Sequence, residues 1–503
     1  MCGIIGTYPA IDTEIVSKGI RKLKHRGPDA DSLVKTPKGA LGHTRLSIID
    51  VENGDQPMSQ GDSWIVFNGE IYNYQALGGL ITEPLETASD TEVVLQLYRQ
   101  YGPDFISMLD GMFAFAITGH SSIFLARDPL GIKPLYYTTS GETLYFASEI
   151  KALQGISSQV MEFPPGHWWH SNLGLKQYYQ LEKNTLKMQK PEPPPPGKVL
   201  NDIREQLRRA VEKRMIADTG VPVGVSLSGG LDSSVVAAFA REVKDRLNTF
   251  VVGISGSGDL AASEDVAKHL GTVHHLYQYT FEEMLEALPE VIYHLESFDA
   301  ALVRSAIPNY FLAKLASDHV KVMLTGEGAD ELYAGYEYFY DFTEPEPLQE
   351  EMVEITGNLH NTNLQRADRM SMAYGLEARV PFLDTQFVDY SLSLPAYWKL
   401  HHQAGTEKAL LRQACRDLVP ERILERPKKK FSDGAGSMDM LAAHADERIS
   451  DEEFAGSRMA GDGVELRSKE EMYYYQIFRS IYGETMDSAV VGRTRSVTEK
   501  ELQ

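Results

Sequence analysis

The sequence predicts a two-domain chain, largely β in its first part and α/β with a parallel sheet in its second. Three observations carry this. Alternating apolar stretches at 64–67, 112–117, 123–126 and 144–147 read as strands with a buried face. From Val199 onward helical and strand patterns alternate, which calls for a parallel sheet covered by helices. Between the two regions runs Lys190-Pro191-Glu192-Pro193-Pro194-Pro195-Pro196-Gly197, which suits neither a helix interior nor a central strand. A docking motif for a proline-binding module is the other reading of that run, but its position favours a linker. Domains are therefore expected at 2–189 and 198–483, with the linker at 190–197 and an aperiodic polar tail at 484–503 expected to be disordered.

A chain of 503 residues with a formal net charge of -22 has none of the basic surplus that nucleic acids or anionic membranes attract. No apolar run is long enough for a membrane span, and the N-terminus lacks a signal peptide's apolar core. Two cysteines, Cys2 and Cys415, cannot build a disulfide framework and suit a reducing cytoplasm. Cys415, inside the helical-looking stretch 408–416, reads as a small core residue.

Cys2 is different once Met1 is removed, because it then carries a thiol and a free α-amine together. That amine has a reference pKa of about 8, so near neutral pH part of it can serve as the thiol's base. Alone, position two would be incidental; its context is not. Met1-Cys2-Gly3-Ile4-Ile5-Gly6 is followed by His25-Arg26-Gly27-Pro28-Asp29 and by Gly42-His43-Thr44-Arg45-Leu46-Ser47-Ile48-Ile49-Asp50. Then come Phe67-Asn68-Gly69-Glu70-Ile71-Tyr72-Asn73, Ser89-Asp90-Thr91-Glu92, Gly111-Met112-Phe113-Ala114-Phe115-Ala116 and Arg127-Asp128-Pro129-Leu130-Gly131-Ile132-Lys133-Pro134-Leu135-Tyr136.

In this order the series resembles the class II glutamine amidotransferase domain, over about the first 180 residues. The resemblance implies an Ntn-type αββα sandwich, hence an α+β first domain. It also implies Cys2 as nucleophile, with the Asn68 amide and the Gly69 N–H as oxyanion donors. Arg45 would take the glutamine α-carboxylate, Asp90 with Glu70 the α-ammonium, and Leu46, Ser47, Ile48 and Ile49 would line the glutamine site. The residue types suit that chemistry, which needs a nucleophile, an oxyanion site and groups for an amino acid's two charged ends. Singly, Asn68-Gly69 reads as a hairpin turn and Arg45 or Asp90 as a surface charge. The stretch from Arg127 to Tyr136 is assigned no catalytic role.

In the second domain a helix is expected at 199–216, a strand at 221–227 and a helix at 235–246. A strand at 250–254, a helix at 263–270, a strand at 274–279, a helix at 281–295 and a strand at 320–326 follow. Ser228-Gly229-Gly230-Leu231-Asp232-Ser233-Ser234 joins the first strand to the next helix. Glycines that admit backbone N–H groups, serine hydroxyls and a helix N-terminus make this an anion site. The chain has no Gly-Lys-Ser/Thr ending of a Walker loop. The string instead resembles the pyrophosphate loop of N-type ATP pyrophosphatases.

Thr325-Gly326-Glu327-Gly328-Ala329-Asp330-Glu331 closes the later strand. Its acids read either as magnesium or acceptor ligands or as helix caps. Arg366-Ala367-Asp368-Arg369-Met370-Ser371, Glu377-Ala378-Arg379-Val380-Pro381-Phe382-Leu383-Asp384 and Arg426-Pro427-Lys428-Lys429-Lys430-Phe431-Ser432-Asp433-Gly434 complete the set. Together with the first domain it resembles the family of glutamine-hydrolysing asparagine synthetases, whose second domain is a parallel-sheet α/β ATP pyrophosphatase fold. The resemblance implies ATP contacts from Leu227, Ser228, Gly229, Gly230, Asp232, Ser233, Val252, Thr325 and Gly326. It implies a catalytic Glu327 supporting an adenylylated intermediate, a catalytic Lys428 at the phosphates, and magnesium held through pyrophosphate by Asp232 and Asp330. Lys429 and Lys430 read as a solvated basic patch.

The function so implied is ATP-dependent conversion of aspartate to asparagine with glutamine as nitrogen donor, in a cytoplasmic homodimer that binds neither nucleic acid nor membrane. The chain departs from the family at Ala329, usually Ser, and Ala334, usually Gly; Pro427 sits beside Lys428. A rival keeps the machinery and amidates another carboxylate acceptor. A non-catalytic homologue would lack the nucleophile or the phosphate loop, and both are present. A tRNA-modifying adenylylase fits poorly with the acidic charge and the glutaminase half.

Overall fold

The computed structural model describes residues 2–157, 159–182, 195, 197–401, 405–426, 438–460, 463–483, 486 and 488–494. Its first part contains strands β1 (Cys2–Tyr8), β2 (Ala30–Thr36), β3 (Gly39–Arg45), β4 (Met58–Gln60), β5 (Ser63–Ile71) and β6 (Gly111–Thr118). It continues with β7 (Ile123–Arg127), β8 (Tyr136–Ser140), β9 (Thr143–Ala147), β10 (Met161–Glu162), β11 (His167–His170) and β12 (Gly174–Gln177). They form two six-stranded sheets, in the orders β10-β8-β9-β1-β3-β2 and β12-β11-β7-β6-β5-β4. All pairings in both are antiparallel.

Side-chain alternation sorts each strand between an inner and an outer face. Ile4, Leu41, Val66, Ala114, Ala116, Leu125 and Phe146 fill the space between the sheets. Ile5 instead packs outward on Val16, Ile20 and Leu23 of helix α1 (Thr13–Leu23). Phe67, Phe113 and Phe115 pack outward on Val93, Val94 and Leu97, which belong to α3 (Asp90–Tyr101), reached after the short α2 (Tyr74–Gly78). The result is the expected αββα sandwich. Asn68-Gly69 lies inside β5 rather than in a hairpin turn, because β5 pairs with β6 along its length from Trp64 to Ile71.

The second part opens with α4 (Gly197–Lys213). The linker expected just before it lies outside the described residues apart from Pro195 and Gly197, and Gly197 already belongs to the helix. A parallel sheet follows from β13 (Val223–Ser226), β14 (Asn248–Gly253), β15 (Val273–Gln278), β16 (Val322–Leu324) and β17 (Glu377–Arg379). Helices α5 (Leu231–Val243), α6 (Gly258–Leu270), α7 (Phe281–Leu295) and α8 (Ala300–Ser317) connect the first four strands. Then come α9 (Ala329–Leu332), α10 (Pro345–Gly357), α11 (Asn363–Met372) and α12 (Thr385–Ser393). Helix α7 starts where the sequence places it, because Thr280 and Glu283 form a reciprocal capping box.

The strand order is β15-β14-β13-β16-β17. The chain moves outward on one side of β13 and then returns to the other. The crevice beyond the carboxyl ends of β13 and β16 is therefore the topological switch point, where such sheets bind ligands.

Of the expected tail, Met486 and residues 488–494 are described. Met486, Ser488 and Val491 are buried, Arg493 pairs with Glu471 at 2.7 Å, and Thr494 N donates to Asp299 at 3.0 Å. Aperiodic polarity signals disorder only where no partner charge waits, and here Asp299 and Glu471 supply it. Residues 495–503 lie outside the described residues.

The two parts are joined by buried charges. Arg26 takes Asp368 of α11 through both terminal nitrogens, at 2.8 and 3.1 Å, and Glu149 at 2.7 Å. Arg369 reaches Glu296 at 3.1 Å, and Glu296 accepts the Ile150 and Lys151 N–H groups. Burial alone would raise the Asp368 carboxyl, but Arg26 and Lys133 hold it low. Asp368→Asn is expected to cost about 3 kcal/mol, because Arg26 stays buried with half its counter-charge gone. Denaturant unfolding checks this; an unchanged midpoint would mean the pair adds nothing to the interface.

Candidate active sites in the two halves

Strand alternation assembles the first site. Cys2 shares the inner face of β1 with Ile4, His43 and Arg45 share that of β3 with Leu41, and Asn68 and Glu70 share that of β5 with Val66. Cys2 pairs with Arg45 in register, and across the sandwich its backbone N–H donates to Asn68 Oδ1 at 3.0 Å. Asn68 is fully buried, and its Nδ2 has no hydrogen-bond partner. A buried amide N–H₂ with nothing to donate to is costly unless a ligand oxygen completes it.

Burial pushes the Cys2 thiol up, while the chain-terminal charge and the Leu46 N–H pull it down. His43 cannot serve as its base, because burial drops the imidazole to about 3. Arg45 is clamped by the loop that follows: its guanidinium donates to the Val51 carbonyl at 3.1 Å, the Asp50 carbonyl at 2.6 Å and Asp55 Oδ1 at 2.7 Å. Asp90 accepts from Ile71 N at 3.0 Å and is raised to about 6 by burial. Glu70 Oε2 pairs with Arg379 of β17 at 3.0 Å, and its Oε1 is buried without a partner.

The segment 46–49 lies at the domain boundary. Ser47 N donates to Asp29, which also takes Lys321 at 2.6 Å, and the Ile48 carbonyl accepts from Asp218 N. Leu46 and Ile48 join an apolar cluster shared with Leu227 and Tyr333 of the second half.

The second site lies at the switch point. Ser228 Oγ and Ser233 Oγ are 3.1 Å apart, Ser228 N donates to Ser233 Oγ, and Gly230 N to Ser228 Oγ. Gly229 has φ +71, which glycine adopts freely. Gly326 must be glycine for another reason: a Cβ there would lie 2.9 Å from Asp232 Cβ and 3.0 Å from Ser233 N, so the two loops touch. Thr325 N donates to the Arg379 carbonyl at 2.9 Å, and buried Val252 and Leu227 flank the site on β14 and after β13. Glu327 pairs with Arg366 of α11, and Glu331 is bonded by Tyr336 and Asn363 and pushed up to about 7 by burial.

Three residues at this site were given no role by the sequence reading. Lys408, buried and held at φ 54, places its Nζ 2.5 Å from Asp232 and 2.6 Å from Asp330. Its bond to Asp232 joins residues 176 apart in sequence, so no local pattern announced it. Arg366 is the second, at Glu327. Arg426 is the third: its Nη2 donates to Asp259 at 2.7 Å and its Nη1 lies 3.5 Å from the Ser228 carbonyl. Lys428 and Pro427 lie outside the described residues, but Arg426 brings the chain to the pyrophosphate loop just before them.

Ala334 has φ 51, the backbone region that explains a glycine preference at this position. Ala329 is buried in the main apolar cluster, where a methyl suffices. Among the described residues no group of three or more His, Cys, Asp or Glu gathers to hold a metal ion. Asp232 and Asp330 do converge on one cationic atom, so the pair suits a cation whose other ligands come from phosphate.

A sandwich that seats a second-position cysteine against an unsatisfied amide, joined to a parallel sheet with a Ser-Gly-Gly loop at its switch point, defines a glutamine amidotransferase fused to a nucleotide-binding α/β domain. Residues 1–179 match the glutamine amidotransferase domain family, and 202–344 with 341–500 match the asparagine synthase family. The chain is 38% identical to asparagine synthetase [glutamine-hydrolyzing] 2 of Arabidopsis thaliana, over 98% of this chain and 89% of that one. It is 37% identical to asparagine synthetase B [glutamine-hydrolyzing] of Escherichia coli (strain K12), over 96% of this chain and 91% of that protein. A probable asparagine synthetase [glutamine-hydrolyzing] of Schizosaccharomyces pombe is 38% identical over 96% of this chain and 94% of its own length. The chain belongs to the family of glutamine-hydrolysing asparagine synthetases.

Proposed function

We propose that the chain makes asparagine from aspartate, ATP and glutamine. The observation that carries the glutamine half is the buried, unpartnered Nδ2 of Asn68 on the residue whose Oδ1 receives the Cys2 backbone N–H. Once Met1 is removed, that nitrogen is the α-amine, and Asn68 holds it beside its own thiol. The amine takes the thiol proton, the thiolate attacks the glutamine amide carbon, and Asn68 Nδ2 with Gly69 N–H receives the oxyanion. Ammonia leaves, and water then releases glutamate from the thioester. Arg45 takes the substrate carboxylate, and Asp90 with Glu70 its ammonium. Leu46 to Ile49 shape the pocket wall toward the second half.

In the second half the aspartate β-carboxylate attacks the α-phosphorus of ATP, giving β-aspartyl-AMP and pyrophosphate. Ser228 to Ser233 hold the pyrophosphate, Thr325, Gly326, Leu227 and Val252 the nucleotide, and Glu327 the acceptor side. Lys408 and Lys428 supply positive charge to the phosphates. Asp232 and Asp330 would hold magnesium, which would neutralise phosphate charge on the bound nucleotide. Ammonia crosses within the protein, because in bulk water it protonates and loses its nucleophilic lone pair. The apolar cluster that spans both halves supports such a route.

No helix among the described residues is long and apolar enough to cross a membrane. The two buried free cysteines fit a cytoplasmic enzyme, and the family resemblance supports a homodimer. The test is a mass-spectrometric assay with ATP, magnesium, aspartate and amide-15N glutamine. Labelled asparagine in step with AMP is expected. Glutamate without labelled asparagine would leave the glutaminase standing and point to another carboxylate acceptor.

A further inference from the structure

One residue of the second half is built into both sites. Arg379, the last residue of β17, is fully buried. Its carbonyl accepts the N–H of Thr325 at 2.9 Å, at the mouth of the nucleotide site. Its guanidinium crosses the domain boundary: Nη2 donates to Glu70 Oε2 at 3.0 Å, two residues past Asn68 on the same strand face. Three further donors are fixed. Nε meets Glu377 Oε1 at 2.5 Å, and Nη1 meets the carbonyls of Arg214 at 2.7 Å and Ile216 at 2.5 Å. A planar fork with its donors so placed has no freedom to swing away.

The effect on Glu70 is specific. This carboxylate is buried beside Asp90, and burial with that like charge pushes its carboxyl well up even with Arg379 opposing them; what Arg379 fixes is its orientation, through Nη2 on Oε2. Arg379 is its only ion pair among the described residues. With Oε2 taken, Oε1 is left buried and without a partner. An oxygen in that state lacks only a donor, and an amino acid's ammonium is one.

We propose that Arg379, contributed by the synthetase half, is a positioning residue of the glutamine site. It holds Glu70 turned so that one oxygen is left for the α-ammonium. The same residue's carbonyl anchors Thr325, so the glutamine pocket and the nucleotide loop share one fixed point. The inference rests on the reading of Glu70 as a glutamine ligand.

The test uses the full chain carrying Arg379→Lys, Glu70→Gln, or both. Lysine keeps the charge but cannot reach Glu70, Glu377 and two carbonyls at once. Arg379→Lys is expected to raise the KM for glutamine about tenfold with kcat changed far less, as when ground-state binding is lost. Ammonia-dependent asparagine formation should stay within about twofold of the parent, since the Thr325 contact is main-chain. If Arg379 acts through Glu70, the double variant has the KM of Glu70→Gln alone. Additive effects, an unchanged KM, or parallel loss of ammonia-dependent synthesis would each overturn the proposal, the last by reducing Arg379 to a structural strut. A parent enzyme that hydrolyses no glutamine would instead sink the underlying reading.

Discussion

Cys2→Ala is expected to lower glutamine-dependent asparagine formation by at least about 10³-fold, while ammonium chloride still supports synthesis. The size of the loss follows from the poverty of the site without its sulfur. His43 is the imidazole on the same inner face, and burial holds it near 3, so it stays neutral and weakly basic. It cannot activate water in the thiol's place. Asp90 and Glu70 are committed to backbone and arginine contacts. Asn68 still offers Nδ2, but an oxyanion donor without a nucleophile has no charge to stabilise. The second half sits on its own sheet, so ammonia from solution should be used at a rate that rises with pH as ammonium deprotonates. The assay measures asparagine from each donor side by side. Glutamine remaining an equal donor in Cys2→Ala would remove the nucleophile assignment.

What the sequence made legible was whatever repeats locally. Alternation at 64–67 and 112–117 located β5 and β6, and with them the inner face that carries Asn68. Strand–loop–helix punctuation located Ser228–Ser233 at a sheet's carboxyl end. Contacts between distant segments were not legible. Arg379 meets Glu70 across 309 residues, and Lys408 meets Asp232 across 176. Neither side chain stands in a pattern with its sequence neighbours. The tail's contacts were not legible for the same reason: the charges that meet Arg493 and Thr494 are Glu471 and Asp299, which no window around the tail contains. Asn68-Gly69, which taken singly is a strong turn signal, lies inside a strand because β6 pairs along all of β5.

Lys408→Met is expected to reduce AMP formation by about 10²-fold or more and to leave glutamine hydrolysis standing. Its ammonium lies between Asp232 and Asp330, one from each loop of the switch point. Removing it leaves two carboxylates sharing a site, and like charges so placed repel or take up a proton. Two causes of lost activity are then possible, a splayed pair of loops or a missing cation at the phosphates. Lys408→Arg separates them, since a planar guanidinium keeps the charge but cannot replace one nitrogen at 2.5 and 2.6 Å from two carboxylates on different loops. It should bind nucleotide better than methionine yet turn over far more slowly than lysine. Parent-like turnover in Lys408→Arg would show that charge at this point suffices and that the geometry of the shared ammonium does not matter.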